Sequence, residues 1–108
     1  KKTIKTGINL FKKNFYKPVL GVSKSRHNPI LTYKISKGYL VRLFKQRKQE
    51  LVTYYVNGVL YLISPKNLRK TKSFFNNKSV PLIINSPKEY LDIDHFWDLK
   101  VARSFLSV

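Results

Sequence analysis

The stretch PVLGVS, residues 18–23, is apolar and lacks the alternation of a half-exposed strand. A short apolar run without alternation is typical of a strand that is buried on both faces. A second run, VPLIIN at residues 80–85, also predicts a strand. The fold class then depends on the segments that lie before, between and after these two strands.

The segment before the first strand predicts an amphipathic helix. Ile4, Ile8, Phe11 and Phe15 recur at helical spacing, with lysines between them. This pattern places the apolar residues on one face of a helix, which should end before Pro18.

The middle of the chain predicts further strands. Residues 30–44, ILTYKISKGYLVRLF, are typical of a hairpin with its turn at Lys37–Gly38. Residues 53–64, TYYVNGVLYLIS, are rich in β-branched and aromatic side chains and predict one long strand. Asn57–Gly58 within that strand, taken alone, would instead favour another hairpin turn.

Two more helices complete the pattern. The first begins at Pro65, with Ser64 as its cap. The second runs from Asp94 to the C-terminus with apolar residues at helical spacing, namely Phe96, Leu99, Ala102, Phe105 and Leu106. The mixture of helices and strands predicts an α/β or α+β fold.

The length and composition limit the possible functions. A chain of 108 residues fits one domain or a piece of one. It contains no cysteine, which excludes disulfides and thiolate metal sites, and no apolar run approaches the ~20 residues that span a bilayer. No export signal is visible, so a cytoplasmic location is predicted. The chain begins with Lys rather than Met, as a fragment would.

The charge balance leaves two explanations open. The chain has 22 Lys and Arg against 5 Asp and Glu, for a net charge of +17. Such an excess favours a polyanionic partner, and interleaved Tyr and Phe would suit a nucleic-acid-binding module. No recognised RNA-binding signature supports that function, however, and the scattered lysines also fit a coding bias toward A and T.

The scarce carboxylates concentrate in YLDIDHFWDL, residues 90–99. If this segment is a strand, Asp92 and Asp94 lie on one face and could bind a hard cation such as Mg²⁺. Alternatively, Asp94 caps the last helix, and Asp98 in its first turn interacts favourably with the helix dipole.

Several segments, in a particular order, resemble the acylneuraminate cytidylyltransferases, the CMP-sialic acid synthetases and their relatives. The resemblance begins with VLGVSKSRHNP, which is similar to a strand and an H-x-P loop of that family. It continues in QRKQEL, YYVNGVLYLI, KSFF and LDIDHFWDLKVARSFL, which begin at residues 46, 54, 72 and 91. In the family these positions hold an R-Q-D-L-like segment, a P-N-G-A-x-Y strand, an F-F-like pair and an S-I-D-I-D-T segment.

The resemblance implies a fold and a reaction. The fold is the C-terminal part of a Rossmann-like nucleotide-diphospho-sugar transferase sheet, with a β-hairpin dimerisation element at about residues 30–55 of this chain. The reaction transfers CMP from CTP to a nonulosonic acid, releases pyrophosphate and uses Mg²⁺. The resemblance also implies a homodimer. A membrane partner is not predicted, and a nucleic-acid-binding module is kept as the alternative function.

The resemblance also implies roles for individual residues. Asp92 and Asp94 match the catalytic aspartates that hold Mg²⁺. Asn57 and Tyr61 match the N-G-x-x-Y strand, whose tyrosine lines the sugar pocket.

Five other residues complete the predicted substrate site. Phe74 and Phe75 match a pair that reaches the neighbouring subunit's sugar site. Arg47, or Lys48 if one gap is allowed, matches a basic residue that acts on the substrate anion, and Gln49 accompanies it.

The chain departs from the family pattern at several positions. Tyr55–Val56 stands where many members have Arg-Pro, Leu31 where some have Lys, and His95 where the family has Thr. The glycine-containing basic loop that wraps the CTP phosphates in the family's N-terminal half has no counterpart in this chain. The chain alone is therefore predicted to be inactive, either as the C-terminal portion of a larger enzyme or as a non-catalytic remnant.

Overall fold

A computed structural model describes residues 1–44, 52–76 and 78–106 of the chain. The chain divides into two compact units. The first unit contains residues 1–23 and 56–108, and the second unit contains residues 24–55.

The predicted N-terminal helix is present as α1, Lys2–Lys13. It ends earlier than its apolar pattern suggests, because Phe15 and Tyr16 both adopt left-handed backbone conformations, with φ of 58° and 61°. Phe15 therefore lies beyond the helix, and its side chain is 86% exposed. The Asn14 side chain donates to the Leu10 carbonyl at 2.8 Å and satisfies a backbone acceptor at this helix end.

A mixed three-stranded sheet forms the centre of the first unit. Its order is β4-β1-β5, with β1 at Val19–Lys24, β4 at Tyr54–Leu62 and β5 at Val80–Ile83. β1 and β5 are parallel, and their register runs from Val19 opposite Val80 to Val22 opposite Ile83. The two apolar runs of the sequence are thus adjacent strands; β1 is buried from Val19 to Ser23, whereas β5 buries Leu82.

The core lies on this parallel pair. Among the described residues, the buried apolar side chains are Val19, Leu20, Val22, Leu82 and Ile84. Side chains of α1 and β4 pack against this core, including Leu10, Phe11, Leu60 and Leu62. Gly7 permits this packing, because a Cβ at its position would collide with Leu60 Cδ2.

Three helices follow the long strand. They are α2 at Pro65–Thr71, α3 at Pro87–Tyr90 and α4 at Phe96–Leu106. The predicted cap of α2 is confirmed, since Ser64 Oγ accepts a hydrogen bond from the Asn67 N–H at 3.2 Å. The short helix α3 has only four residues, which are too few to show a helical period in the sequence.

The second unit contains the predicted hairpin. Its strands are β2 at Tyr33–Ser36 and β3 at Tyr39–Arg42, paired antiparallel. Lys37 and Gly38 have φ of 51° and 81°, which is the geometry of a two-residue type I′ turn. All residues of both strands are exposed.

The mixture of helices and strands confirms the α/β class at a coarse level. A Rossmann-like sheet requires several parallel strands, whereas this sheet contains one parallel pair. The Rossmann-like assignment and the dimerisation role of the hairpin therefore stay predictions.

Candidate functional site

A chain of hydrogen bonds crosses the sheet at Asn57. Asn57 Nδ2 donates to Ser23 Oγ at 2.7 Å, and Ser23 Oγ donates to the Ile84 carbonyl at 2.7 Å. Asn57 Oδ1 accepts from the Val59 N–H at 3.0 Å. Ser23 is only 2% exposed, so both of its bonds satisfy groups removed from water. The Asn57 amide thus connects β4 to β1, and through Ser23 to the end of β5.

Asn57–Gly58 does not form a hairpin turn. The strand β4 continues through it, and Gly58 takes a φ of 78° within the strand. The Asn57 side chain bonds the N–H two residues later, as asparagine often does where the backbone departs from regular structure. The Asn-Gly pair therefore produces a local distortion of a strand, and the prediction of one long strand is confirmed.

Tyr61 and Phe74 form an aromatic contact near this distortion. Their ring centroids are 5.4 Å apart and the rings are tilted by 58°. A Cβ at Gly58 would lie 3.7 Å from the Tyr61 hydroxyl oxygen, which places that hydroxyl beside the Asn57–Gly58 distortion. The structure thus brings three predicted site residues into one region, which we call the aromatic cluster: Asn57, Tyr61 and Phe74.

Phe75 is more exposed than Phe74. Its side chain is 57% exposed, whereas Phe74 is half-buried. The loop that carries both rings is held by its serines: Ser73 Oγ accepts from the Phe75 N–H at 3.0 Å, and Ser79 Oγ donates to the Phe74 carbonyl at 3.2 Å. Phe75 is therefore presented at the surface by an ordered loop.

Asp92 and Asp94 lie in a segment without regular structure between α3 and α4. The strand that one of the two alternatives assumed is absent, and the shared orientation of the two carboxylates stays a prediction. The following segment explains this, since the backbone here turns into α4 rather than pairing with another strand. Both residues are nevertheless exposed.

Asp98, not Asp94, caps the last helix with its side chain. Asp98 Oδ2 accepts hydrogen bonds from the His95 N–H at 2.8 Å and the Asp94 N–H at 3.1 Å. The side chain of Asp98 is 7% exposed, so these bonds form largely out of water. In a capping box, the side chain three positions after the cap residue accepts a hydrogen bond from the backbone N–H of the cap residue. Here His95 is at the cap position and Asp98 is the acceptor. That spacing is visible in the sequence, and it could have identified Asp98 as the residue that orients the Asp92–Asp94 segment.

Replacement of Asp98 should destabilise the chain. We expect Asp98→Ala to lower the free energy of unfolding by about 1–2 kcal/mol, because two backbone donors lose a charged acceptor. Asp98→Asn should cost less, since its amide oxygen can still accept. Urea unfolding followed by circular dichroism measures both, with Asp92→Ala as the exposed control expected to change stability by less than about 0.5 kcal/mol. Equal effects of Asp98→Ala and Asp92→Ala would contradict the capping role.

The magnesium role of the acidic pair stays a prediction. Within residues 1–44, 52–76 and 78–106, no group of three or more His, Cys, Asp or Glu residues is arranged to hold a metal ion. A cage made entirely of protein ligands is therefore not found in that part of the chain. Mg²⁺ commonly takes only one or two carboxylates and completes its shell with water and phosphate oxygens. Asp92 and Asp94 supply such a partial donor set.

The structure gives different partners to the predicted site residues. Asn57 bonds Ser23, Tyr61 contacts Phe74, and the Asp94 N–H bonds Asp98. Arg47, Lys48 and Gln49 lie outside the described residues, so their role as anion ligands stays a prediction. In the part of the chain that the structure describes, no helix is long and apolar enough to cross a membrane.

Comparison with known proteins gives one informative match. No protein-family model matches the chain. Over 84 residues the chain is 34% identical to the CMP-N,N'-diacetyllegionaminic acid synthase of Legionella pneumophila subsp. pneumophila (strain Philadelphia 1). The match covers 72% of this chain but only 36% of the relative, so the chain spans about a third of the relative's length. This similarity supports the resemblance at the level of the family.

Proposed function

We propose that this chain is a C-terminal portion of an acylneuraminate cytidylyltransferase-like enzyme. The complete enzyme transfers CMP from CTP to a nonulosonic acid, and it releases a CMP-sugar and pyrophosphate. The observation that carries the proposal is the similarity to a CMP-N,N'-diacetyllegionaminic acid synthase. The exposed Asp92–Asp94 pair and the aromatic cluster supply side chains suited to a metal-bound phosphate and a sugar.

Exposed apolar side chains of α4 support the proposal that more protein covers the first unit in the complete enzyme. Phe96, Trp97 and Leu106 are large apolar side chains of α4, and they are 71%, 62% and 85% exposed. Exposed apolar side chains grouped on one element often mark an interface. A preceding N-terminal half that carries the CTP-binding loop would provide such an interface, and without it the chain should not bind CTP productively.

The hairpin of the second unit is proposed to act in dimerisation. Ile35, Tyr39 and Leu40 are between 71% and 78% exposed. Such side chains on an isolated two-stranded hairpin favour contact with another protein surface, because a lone hairpin is marginally stable in water. We propose a homodimer in the cytoplasm, in which the hairpin and the exposed Phe75 contact the partner.

The reaction requires a sugar hydroxyl to attack the α-phosphorus of CTP. The new O–P bond forms as the bond to the pyrophosphate oxygen breaks; pyrophosphate leaves with that electron pair, and the hydroxyl proton is released to solvent. When bound, Mg²⁺ would neutralise charge on the phosphate oxygens and help to orient the attacking oxygen. Asp92 and Asp94 would hold this ion, and Asp98 would fix the backbone that carries them.

The aromatic cluster would form one wall of the sugar site. The Tyr61 hydroxyl can donate to a sugar oxygen, while the ring of Phe74 holds the tyrosine ring in place. The Asn57 amide already bonds Ser23 and Val59, so its proposed contribution is to shape this wall rather than to bind the substrate directly. Arg47, Lys48 and Gln49 are proposed to bind the anionic groups of the substrates.

An assay of the protein from the complete reading frame tests the proposed function. We expect formation of a CMP-sugar and pyrophosphate when it is supplied with CTP, Mg²⁺ and either N-acetylneuraminate or N,N'-diacetyllegionaminate. The 108-residue chain alone should give no product and serves as the control. A folded complete protein that forms no CMP-sugar from either acid would indicate a non-catalytic remnant instead.

A further inference from the structure

A pocket in the first unit is lined by residues other than those of the proposed reaction. It has a volume of about 500 Å³. We call it the lysine pocket, and its polar lining consists of Lys17, Asn67, Lys70, Thr71, Asn76 and Lys78. None of its lining residues is acidic.

The lysine pocket lies at the amino ends of the two parallel strands. Lys17 precedes β1 and Lys78 precedes β5, and the Val80 N–H donates to the Pro18 carbonyl at 2.7 Å between these two strand starts. This region and the acidic segment lie near opposite ends of α1. The last turn of α1 leads to Lys17, while Thr3 in its first turn donates a hydrogen bond to Glu89 of α3, just before Asp92.

The separation can be estimated from the length of that helix. The 12 residues of α1 span about 18 Å. A ligand in the lysine pocket would thus bind at the end of the first unit opposite to the proposed metal site.

Local structure fixes the backbone that leads to Lys17. Phe15 and Tyr16 take left-handed conformations that are unfavourable for bulky residues, and Lys17 follows directly. Strain of this kind persists where the surrounding structure requires it, and it often accompanies a binding site. Asn67 Nδ2 donates to the Tyr16 carbonyl at 3.4 Å, which fastens this strained segment to α2.

The other side of the pocket is a compact turn. Asn76 Oδ1 accepts from the Lys78 N–H at 2.8 Å, and Ser79 Oγ accepts from the Asn76 N–H at 3.1 Å. On α2, the Thr71 hydroxyl donates to the Asn67 carbonyl at 2.8 Å. The uncharged polar groups of the lining thus bond the local backbone, while the side chains of the three lysines remain exposed.

The chemistry of this lining favours a multiply charged anion. Three ammonium groups around one pocket repel each other, and an anion that contacts all three converts that repulsion into attraction. Each ammonium group brings three hydrogen-bond donors, which suits the oxygens of a phosphate group. We propose that the lysine pocket binds the phosphate group of a small phosphorylated ligand.

A phosphate titration of the 108-residue chain tests this proposal. We expect inorganic phosphate to produce saturable shifts of the backbone amide signals of Lys17, Thr71 and Lys78 in the nitrogen–proton NMR spectrum. Sodium chloride at equal ionic strength should not reproduce them. Lys70→Gln combined with Lys78→Gln should weaken phosphate binding by about tenfold or more, because two charge-assisted contacts are lost.

A matched double variant controls for the change in charge. Lys5→Gln combined with Lys34→Gln removes the same charge at exposed positions outside the pocket and should leave phosphate affinity within about twofold. The same spectra report whether each variant is folded. Equal losses in both double variants, or shifts spread over all lysines, would overturn the proposal.

A second ligand separates a phosphate site from a nucleic-acid surface. If a short oligouridylate bound with a steep salt dependence while inorganic phosphate produced no saturable shift, the basic surface would be a nucleic-acid interface, and the proposal would be wrong. Neither arm uses CTP or a sugar acid, so the outcome does not depend on the proposed transferase function.

Discussion

Asp94→Asn in the complete enzyme should reduce the turnover of CMP transfer by at least about a hundredfold. The substitution keeps the size of the side chain but removes one of the two charges proposed to hold Mg²⁺. A metal ion at a reacting phosphate contributes several kcal/mol of charge stabilisation, and each ~1.4 kcal/mol corresponds to a tenfold change in rate. Steady-state measurement of pyrophosphate release gives the ratio directly.

The structure provides controls for this experiment. Asp94 is exposed and its carboxylate does not cap α4, so the variant should unfold at the same urea concentration as the parent protein. Glu89→Gln removes the same charge from the neighbouring helix α3 and should keep turnover within about threefold. Asp92→Asn should also raise the Mg²⁺ concentration needed for half-maximal turnover. Parent-like turnover of Asp94→Asn at limiting Mg²⁺ would exclude the metal role.

Gly21→Ala should lower the free energy of unfolding by about 2–3 kcal/mol, as overpacking of a close-packed core commonly does. Gly21 lies in the central strand, and a Cβ there would be 2.9 Å from Asn57 Oδ1 and 3.2 Å from the backbone nitrogen of Leu60. A flexible side chain could move aside, but a backbone atom of the neighbouring strand cannot do so without disturbing the sheet. Urea unfolding of the 108-residue chain measures the change.

A double-mutant cycle identifies the cause of this loss. Asn57→Ala removes the nearest obstacle to a Cβ at Gly21, although it also removes the hydrogen bond to Ser23. If steric conflict with Asn57 is the cause, the double variant should be destabilised by less than the sum of the single variants, by about 0.5 kcal/mol or more. If the losses of stability in the two single variants simply add, the cause is instead the contact of the new Cβ with Leu60 or with Ile84.

The parts of the fold that depend on local patterns were predictable from the sequence. The run at residues 18–23 is apolar because β1 is the middle strand of its sheet, and Lys37–Gly38 adopts the turn that its residue types favour. The end of α1 was not predictable from periodicity, because Phe15 keeps the helical spacing although its backbone has left the helix. Asn57–Gly58 shows the same limit, since tertiary contacts with Ser23 keep this turn-forming pair inside a strand.

The candidate site was predictable in its residues but less so in their arrangement. Phe74 and Phe75 divide between a half-buried and an exposed position, as adjacent aromatic residues must when only one can face inward. The sequence left the Asp92–Asp94 segment open between a strand and the start of a helix, and the structure shows a connection whose backbone bonds Asp98. A hydrogen bond from the backbone to a later side chain produces no periodic pattern of apolar residues in the sequence. The three-residue spacing of a capping box is the sequence feature that indicates it.

The hydrogen bonds that link Asn57, Ser23 and the Ile84 carbonyl restrict how this protein can diverge during evolution. Aspartate at position 57 would have no donor for the Ser23 hydroxyl, and alanine at position 23 would leave the Asn57 amide without its acceptor. Ile84 contributes only its carbonyl to these bonds, so other apolar side chains can replace it. Variants of this chain that keep the fold should therefore retain Gly21, Ser23 and Asn57 as a set, while position 84 varies among aliphatic residues.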